Sequence, residues 1–322
     1  MLNKDTKIRE NGINITETTI SEHLPNFKSD LKIRPLQPND IPLVTYWSRM
    51  EDFAPGKGDV GIYSHTDRQG VWLGLLDNKP VGCIAGVRYN PYYGFIGLFI
   101  VSKAYRGNGY GIQLWKHALE HLRELPCIGL EAAPERIDDY ESWGFKSSST
   151  TTRWKYEGDG ILSGDESFSI DEISSLRLID GKEILPLSVQ RFDSKREPSP
   201  RPHFLSDWLS HPAGKVLVLV DENQVCHGFG RIRPCLLKNG YGWRVGPLLA
   251  DTPRLAELLI RRLLQKHPGI VYIDSPGINP NSKPLLNRLG FAEYSSTLRM
   301  YKGSQPPISM NDVYGLACLE LG

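Results

Sequence analysis

The chain has 322 residues, of which 40% are hydrophobic and 23% charged, as is usual for a soluble globular protein of about two domains. Lys and Arg number 38 against 37 for Asp and Glu, so the net charge of +1 gives no reason to expect a nucleic acid or a membrane surface as partner. We find neither the roughly 18-residue apolar run of a spanning helix nor a signal peptide, and we therefore expect a cytoplasmic protein.

The first half of the sequence predicts a leader followed by one mixed α/β domain. Residues 1–30 are polar and aperiodic, which indicates a poorly ordered leader. Hydrophobic periodicity then separates strands, with a period of two, from helices, with a period near 3.6. The predicted order is strand 31–36, helix 41–50, strands 71–76, 81–89 and 95–101, helix 112–122, strand 127–132, helix 134–143 and strand 146–156. These elements define a first domain over residues 31–157.

The second half repeats this pattern after a weak stretch. Residues 158–184 are rich in Gly, Ser and Asp and predict a linker. A second domain, residues 185–322, then shows a strand pair, a strand, a helix and a strand in the same order as before. Its Gly290-Phe291 corresponds to Gly144-Phe145 of the first domain. The sequence therefore predicts two α/β (α+β) domains of similar fold, each with a mixed central sheet flanked by helices.

A glycine-rich loop lies between the buried strand 95–101 and the amphipathic helix 112–122. Its sequence is Arg106-Gly107-Asn108-Gly109-Tyr110-Gly111. Glycines remove the Cβ atoms where a ligand must approach the backbone, and the N-terminus of a helix attracts anions. The spacing differs from that of the dinucleotide-binding fingerprint, and the Lys-Ser/Thr of a Walker loop is absent. We interpret the segment as a phosphate-binding loop.

The loop resembles the acyl-CoA-binding loop of the GNAT N-acetyltransferases, Arg/Gln-x-x-Gly-x-Gly/Ala. A second signature of that family, Tyr-x-x-x-Gly-Phe, is matched by Tyr140-Glu141-Ser142-Trp143-Gly144-Phe145. The resemblance implies that acetyl-CoA is the acyl donor and that Tyr140 is the general acid for the departing thiolate. It also implies two groups of cofactor contacts: strand residues Leu98, Phe99, Ile100 and Val101, and loop residues Arg106, Gly107, Asn108, Gly109, Tyr110, Gly111 and Ile112.

A narrower resemblance extends over about residues 31–322. Ala54-Pro55-Gly56, Val87-Arg88-Tyr89 and the segment from Pro200 to Trp208 are similar to one branch of two-domain bacterial acetyltransferases. That branch has an intact N-terminal GNAT domain and a degenerate GNAT-like C-terminal domain. The chain departs from many GNAT enzymes at Ala133, where they carry an asparagine.

The second domain lacks both features of a cofactor site. Gly246-Pro247-Leu248 stands where the loop would begin, and Leu286 stands where Tyr140 stands in the first domain. Proline also removes a backbone donor. We therefore expect the second domain to bind no cofactor and to shape the acceptor pocket.

Candidate residues for the remaining chemistry are carboxylates, because an acceptor amine must lose a proton. Glu131 is the first choice for the general base, with Asp59 and Glu51 as alternatives. The expected acceptor-site residues are Glu51, Asp59, Arg201 and Trp208. His117 and His121 lack the metalloprotease spacing, and the five scattered cysteines lack Cys-x-x-Cys spacing, so we expect no metal and no disulfide.

These features predict transfer of an acetyl group from acetyl-CoA to a primary amine of a small molecule, by direct attack in a ternary complex. Two alternatives stay open. One is a protein lysine or N-terminal acetyltransferase. The other is a non-catalytic acyl-CoA-binding module, which would have no use for a general acid at Tyr140. No pattern in the sequence assigns the acceptor, the acyl-chain preference or an oligomeric state.

Overall fold

A computed structural model describes residues 31–162, 175–307 and 309–322. The predicted leader and the middle of the predicted linker lie outside these residues. The elements of the first half are β1 (Lys32–Pro35), α1 (Ile41–Met50), α2 (Asp59–Thr66), β2 (Val71–Leu76), β3 (Lys79–Asn90), β4 (Tyr93–Val101), α3 (Tyr110–Leu122), β5 (Cys127–Ala132), α4 (Ile137–Ser142) and β6 (Lys146–Gly158).

The second half repeats this order from its first strand and two helices onward, and adds one short strand at the end. Its elements are β7 (Arg177–Asp180), α5 (Pro186–Asp193), α6 (Pro202–Ser210), β8 (Lys215–Val220), β9 (Cys226–Leu236), β10 (Tyr241–Ala250), α7 (Pro253–Leu264), β11 (Gly269–Pro276), α8 (Ser282–Arg288), β12 (Ala292–Gly303) and β13 (Val313–Gly315). The five cysteines are all free and buried.

All thirteen strands of the described residues belong to one mixed sheet. The order is β1-β2-β3-β4-β5-β12-β6-β11-β10-β9-β8-β7, with β13 beside β10. The pairs β4/β5 and β10/β11 are parallel and the other pairs are antiparallel. The order is symmetric about its centre, where β6 and β12 lie side by side. The predicted mixed α/β class is confirmed, but the two expected sheets are continuous with each other.

The continuity comes from an exchange of strands between the halves. β12 lies between β5 and β6, and β6 pairs on its other side with β11. Sequence analysis expected residues 146–156 to end the first domain as a strand; the strand is present as β6, but both of its partner strands come from the second half. The long antiparallel register from Gly269–Gly158 to Pro276–Thr151 instead satisfies the backbone groups of β6 with a strand of the second half.

β4 contains a bulge that determines what faces the cleft. Opposite β3, Gly97 pairs with Ala85 and Ile100 with Cys83, so two residues of β4 oppose the single residue Ile84. Leu98 takes a left-handed φ of 48°, which is uncommon for a non-glycine residue. Phe99 and Val101 pack against the core under α3, whereas Leu98 and Ile100 pack on the other face. The bulge thus reverses which face of the sheet each side chain points to over the last residues of the strand.

The ordered elements that were not expected include α2 and β7. Residues 59–66 form α2, and its mixed burial gave no clear helical periodicity in the sequence. Residues 177–180, placed in the predicted linker, form β7, in which Leu178 and Ile179 pair with Leu219 and Val218. Both elements are short, and each is stabilised by packing that is distant in sequence.

Candidate active site

A cleft of about 830 Å³ opens where β4 and β5 diverge. The two strands pair only from Tyr93–Cys127 to Ile96–Leu130. Beyond Ile96, the edge of β4 that faces β5 has no partner strand. Unpaired backbone groups of a strand can hydrogen-bond an extended ligand. Of the predicted cofactor contacts, the residues that line the cleft are Leu98, Phe99, Ile100, Val101, Arg106, Gly107, Gly111 and Ile112.

The glycine loop leaves open space above its backbone. Gly107 and Gly109 have φ values of 79° and 81°, and no atom lies within 4 Å of the position that a Cβ would occupy at either residue. Gly111 is different, because a Cβ there would lie 3.4 Å from the ring of Phe99. The side-chain amide of Asn108 donates to the carbonyl oxygens of Tyr105 and Arg106, at 3.3 and 3.1 Å, and holds the loop in place.

The N-terminus of α3 is free for a ligand. Its N-cap residue is Gly109, and no side chain caps the first amides. The first amide groups of a helix need partners, and phosphate oxygens supply them. The corresponding helix of the second half, α7, is capped by its own Thr252, whose hydroxyl accepts from the amide of Leu255 at 3.3 Å, and begins with Pro253. The residues present therefore fit a phosphate at α3 and not at α7.

Tyr140 lies on α4 and lines the same cleft. Its ring contacts Trp115, with 5.2 Å between centroids, and also packs near Phe145. Burial raises the pKa of the Tyr140 phenol, so the hydroxyl stays protonated through the neutral range. Trp115 is itself buried, and its indole N–H has no hydrogen-bond partner among the described residues. The cleft thus presents a protonated phenol and an unused donor from neighbouring rings.

Glu131 lies next to the last residue of β5 and lines the cleft, but its side chain is only 2% exposed. Its Oε1 accepts from Arg299 Nε at 2.6 Å and from the Thr151 hydroxyl at 2.9 Å. Its Oε2 accepts from the hydroxyl of Thr297 at 2.6 Å. Thr297 also lines the cleft, so the Glu131 carboxylate reaches the cavity through a hydroxyl group contributed by β12.

Of the four predicted acceptor-site residues, only Glu51 lines the cleft. Asp59 is fully buried in an ion pair with Arg233, at 2.9 Å. Arg201 is buried between Asp193 and Glu197, and Trp208 is buried with its indole N–H donating to the carbonyl oxygen of Gly246. These three residues do not line this cleft, and their polar groups are paired with other groups of the chain.

Sequence analysis missed a group of residues that line the rest of the cleft, which is called the acceptor end under the function proposed below. They come from the segment after α1, from β6 and β12, and from the last described segment of the chain: Asp52, Phe53, Arg153, Ser295, Ser296, Thr297, Leu319 and Glu320. The backbone of Glu320 occupies the space that a side chain at Gly97 would need. Only the alternation of polar residues along β12 could have indicated that this strand has one face on a cavity.

Over residues 31–162, 175–307 and 309–322, no group of three or more His, Cys, Asp or Glu side chains is arranged to hold a metal ion. No helix in this part of the chain is long and apolar enough to cross a membrane.

Comparison with known families and proteins agrees with this geometry. Residues 42–145 match the model of the acetyltransferase (GNAT) family, and residues 189–315 match that of an acetyltransferase (GNAT) domain. Holothin acyltransferase of Pseudoalteromonas sp. (strain SANK 73390) is 28% identical over 291 residues, covering 90% of this chain and 94% of that protein.

Two solved structures share the fold. A putative acetyltransferase from Pyrococcus horikoshii superposes with a TM-score of 0.74 at 23% identity, covering 94% of this chain and 99% of that one. A tandem GNAT protein from the clavulanic acid biosynthesis pathway superposes with a TM-score of 0.57 at 14% identity, covering 84% and 98%. The chain thus belongs to the GNAT superfamily, carries two GNAT domains in tandem and is an acyl-CoA-dependent acyltransferase.

Proposed function

We propose that the protein transfers an acetyl group from acetyl-CoA to a primary amine of a small molecule, in a ternary complex and without a covalent acyl-enzyme. One observation carries the proposal: the open glycine loop, the unpaired edge of β4 and the protonated Tyr140 line a single cavity. That cavity continues to an acidic, hydroxyl-rich end contributed by both halves of the chain.

The donor side rests on backbone groups. Acetyl-CoA, when bound, supplies an activated thioester carbonyl and a good leaving group. The uncapped amides at the start of α3 and the open space above Gly107 and Gly109 would hold its pyrophosphate. Backbone groups of β4 between Gly97 and Val101 face the cleft without a partner strand. They would therefore hydrogen-bond the pantetheine arm of acetyl-CoA and polarise its thioester carbonyl.

The proton for the departing sulfur is assigned to the Tyr140 hydroxyl. Burial keeps this phenol protonated, and its ring is fixed by Trp115 and Phe145. A proton donor held in this way contributes typically 10²- to 10⁴-fold to a rate. Asp139 and Ser142, on the same short helix, also line the cleft but are exposed to solvent, and they are less suited to this role.

The proton of the attacking amine is assigned to Glu131, by way of Thr297. As the Thr297 oxygen takes a proton from the amine, its own hydroxyl proton passes to Oε2 of Glu131, 2.6 Å away. This relay explains how a carboxylate that is 2% exposed can act as a base. It also gives the second half of the chain a part in the reaction, since β12 supplies Thr297.

The acceptor class is inferred from the acceptor end of the cleft. Asp52 and Glu320 contribute acidic groups there, and Ser295 and Ser296 contribute hydroxyls. Such a lining favours a polar amine that is cationic in water. The second half shapes this end through the exchanged strand and the segment around Glu320.

The proposal is tested by incubating the full chain with acetyl-CoA and a panel of amines, with free CoA thiol as the readout. The panel contains polyamines, amino sugars, lysine peptides and holothin, the acceptor in the name of the Pseudoalteromonas relative. We expect turnover with a small amine and an acetylated product by mass spectrometry. Acetylation of peptides alone would favour the protein acetyltransferase, and tight acetyl-CoA binding without turnover on any amine would favour the binding module.

A further inference from the structure

A buried cluster of charges joins the two halves of the chain beside the cleft, and its charges do not balance. Its members are side chains of at most 5% exposure that interact with one another. The anions are Asp59, Asp274 and Glu320, and the cations are Arg153, Arg231, Arg233 and Arg244. Three carboxylates therefore face four guanidinium groups.

Three of the four arginines have carboxylate partners. Arg233 forms a bidentate pair with Asp59, with Nε 2.9 Å from Oδ1 and Nη2 2.9 Å from Oδ2. Asp274 lies between Arg153 and Arg244, with contacts of 2.7 and 2.5 Å. Glu320 Oε1 lies 3.6 Å from Arg244. Although burial opposes ionisation, the two arginines hold the pKa of Asp274 well below its usual range.

Arg231 is the cation left over. Its side chain has no solvent exposure, and its Nε, Nη1 and Nη2 have no hydrogen-bond partner in the described residues. Its guanidinium lies 5.0 Å from the ring centre of Trp208, and Arg233 lies over the same ring at 4.3 Å. Burial and the like charge of Arg233 lower the pKa of Arg231 to about 9, and the opposing charge of Asp59, which is paired with Arg233, offsets only part of this shift. Its neighbours therefore compensate its charge only in part.

A buried cation without a partner is strongly unfavourable, since it loses hydration and gains no opposing charge. Guanidinium nevertheless remains protonated in proteins under almost all conditions. The remaining way to balance the cluster is an anion from solution. A single negative charge makes the count equal, and five unused N–H donors are available to hold it.

We propose that Arg231 holds a small monovalent inorganic anion of the chloride type at the interface between the halves. The site is bounded by Arg231, the ring of Trp208, the half-buried His211 and the backbone near Gly214. A Cβ at Gly214 would lie 2.7 Å from Arg231 Nε, so a glycine is needed for the guanidinium to lie here. The ring of His211 packs against Gly58, where it would meet a Cβ.

The anion affects the active site through shared residues. Arg153 and Glu320 belong to the cluster and also line the cleft. The anion would stabilise the packing of the halves on which the acceptor end depends. It touches no group assigned to proton transfer, so its loss should lower stability more than turnover.

The test compares the thermal unfolding of the full chain in potassium bromide and in potassium gluconate, whose anion is too large for a buried site, at equal ionic strength. We expect the midpoint of the wild-type chain to rise with bromide by about 2 °C for each tenfold increase above the dissociation constant. Arg231→Met should show no such rise. In gluconate, Arg231→Met should be at least as stable as the wild type, because no uncompensated charge remains.

Arg123→Met serves as the matched control, since Arg123 is an exposed arginine paired with Glu120 on α3. It should keep the response of the wild type to bromide. A crystal of the wild type grown in bromide should show an anomalous peak beside the guanidinium of Arg231, and this measurement stands even if Arg231→Met does not fold. Equal responses to bromide in the wild type and Arg231→Met, or water alone beside Arg231, would overturn the proposal.

Discussion

The guanidinium of Arg106 lies 2.7 Å from the carboxylate of Glu51, at the mouth of the active-site cleft. Arg106 Nε also donates to the carbonyl oxygen of Val101, at 2.8 Å. The arginine expected to meet the phosphate of the donor is thus already paired with a carboxylate from the segment after α1. Both side chains are partly exposed, at 44% and 26%, so solvent weakens the pair.

We predict that Glu51→Gln strengthens the binding of acetyl-CoA, because it removes the anion that competes with phosphate for Arg106. A partly exposed ion pair contributes up to about 1 kcal/mol, so the dissociation constant should fall by roughly two- to fivefold. Calorimetric titration measures the change. Glu120→Gln, on the exposed side of α3, is the control and should have no effect. If Glu51→Gln and the wild type bind acetyl-CoA with equal affinity, Glu51 does not compete with the phosphate for Arg106, and the prediction is wrong.

Gly109→Val should abolish measurable binding of acetyl-CoA while the protein remains folded. A β-branched side chain is strained at a φ of 81° and enters the open space above the loop. Gly290→Val is a matched control, because Gly290 has a φ of 82° and equally open surroundings but lies after α8, in the second half. Calorimetry should show binding by Gly290→Val and none by Gly109→Val. Unchanged affinity of Gly109→Val would exclude the loop as the phosphate site.

Tyr140→Phe should lower kcat by roughly 100-fold or more with little change in the affinity for acetyl-CoA, because it removes only the hydroxyl proton. Tyr105→Phe is the control, since Tyr105 lines the same cleft and is assigned no part in proton transfer. Because burial raises the pKa of Tyr140, its deprotonation should not limit the wild-type rate below about pH 10. Steady-state kinetics against pH test both statements. A fully active Tyr140→Phe would leave protonation of the sulfur to water.

Thr297→Val should reduce kcat by roughly tenfold or more, whereas Thr297→Ser should keep most of the activity, because only the hydroxyl is needed for the relay. Thr151→Val is the matched control: it also removes one hydrogen bond to Glu131, but Thr151 is buried and does not line the cleft. The rates of all three variants are compared at saturating acetyl-CoA. Equal losses in Thr297→Val and Thr151→Val would show that Thr297 only orients Glu131.

Titration with acetyl-CoA should saturate at one molecule per chain. In the second half, Thr252 caps α7 and Pro253 occupies its first turn, so the amides that would bind phosphate are used or missing. Isothermal calorimetry gives the stoichiometry, and Gly109→Val provides the baseline of no binding. A stoichiometry of two would show that α7 also accepts the cofactor.

Local patterns were sufficient to predict the secondary structure around the glycine loop. The strand, the glycine loop and the helix from Phe95 to Leu122 are contiguous in sequence, so their chemistry is visible without the fold. The helix begins at Tyr110 rather than at residue 112, a difference that arises because Gly109 already serves as its N-cap.

The acceptor side could not be predicted in the same way, because it depends on contacts between distant residues. The buried ion pair of Asp59 is formed with Arg233, which is 174 positions away in the sequence. Thr297 reaches Glu131 across 166 positions. No spacing within one segment indicates such pairs, and a buried ion pair resembles a binding residue when only residue types are known.

The exchange of β6 and β12 has a consequence for how the protein is made. The hydrogen bond between Arg299 and Glu131 spans 168 positions, so the floor of the cleft cannot form until β12 has left the ribosome. At a synthesis rate of about 5–20 residues per second, one edge of β5 remains unpaired for on the order of ten seconds before β12 is synthesised. During translation the first half is therefore an incomplete sheet with an exposed edge, for which chaperones and the matching edge of a neighbouring nascent chain would compete.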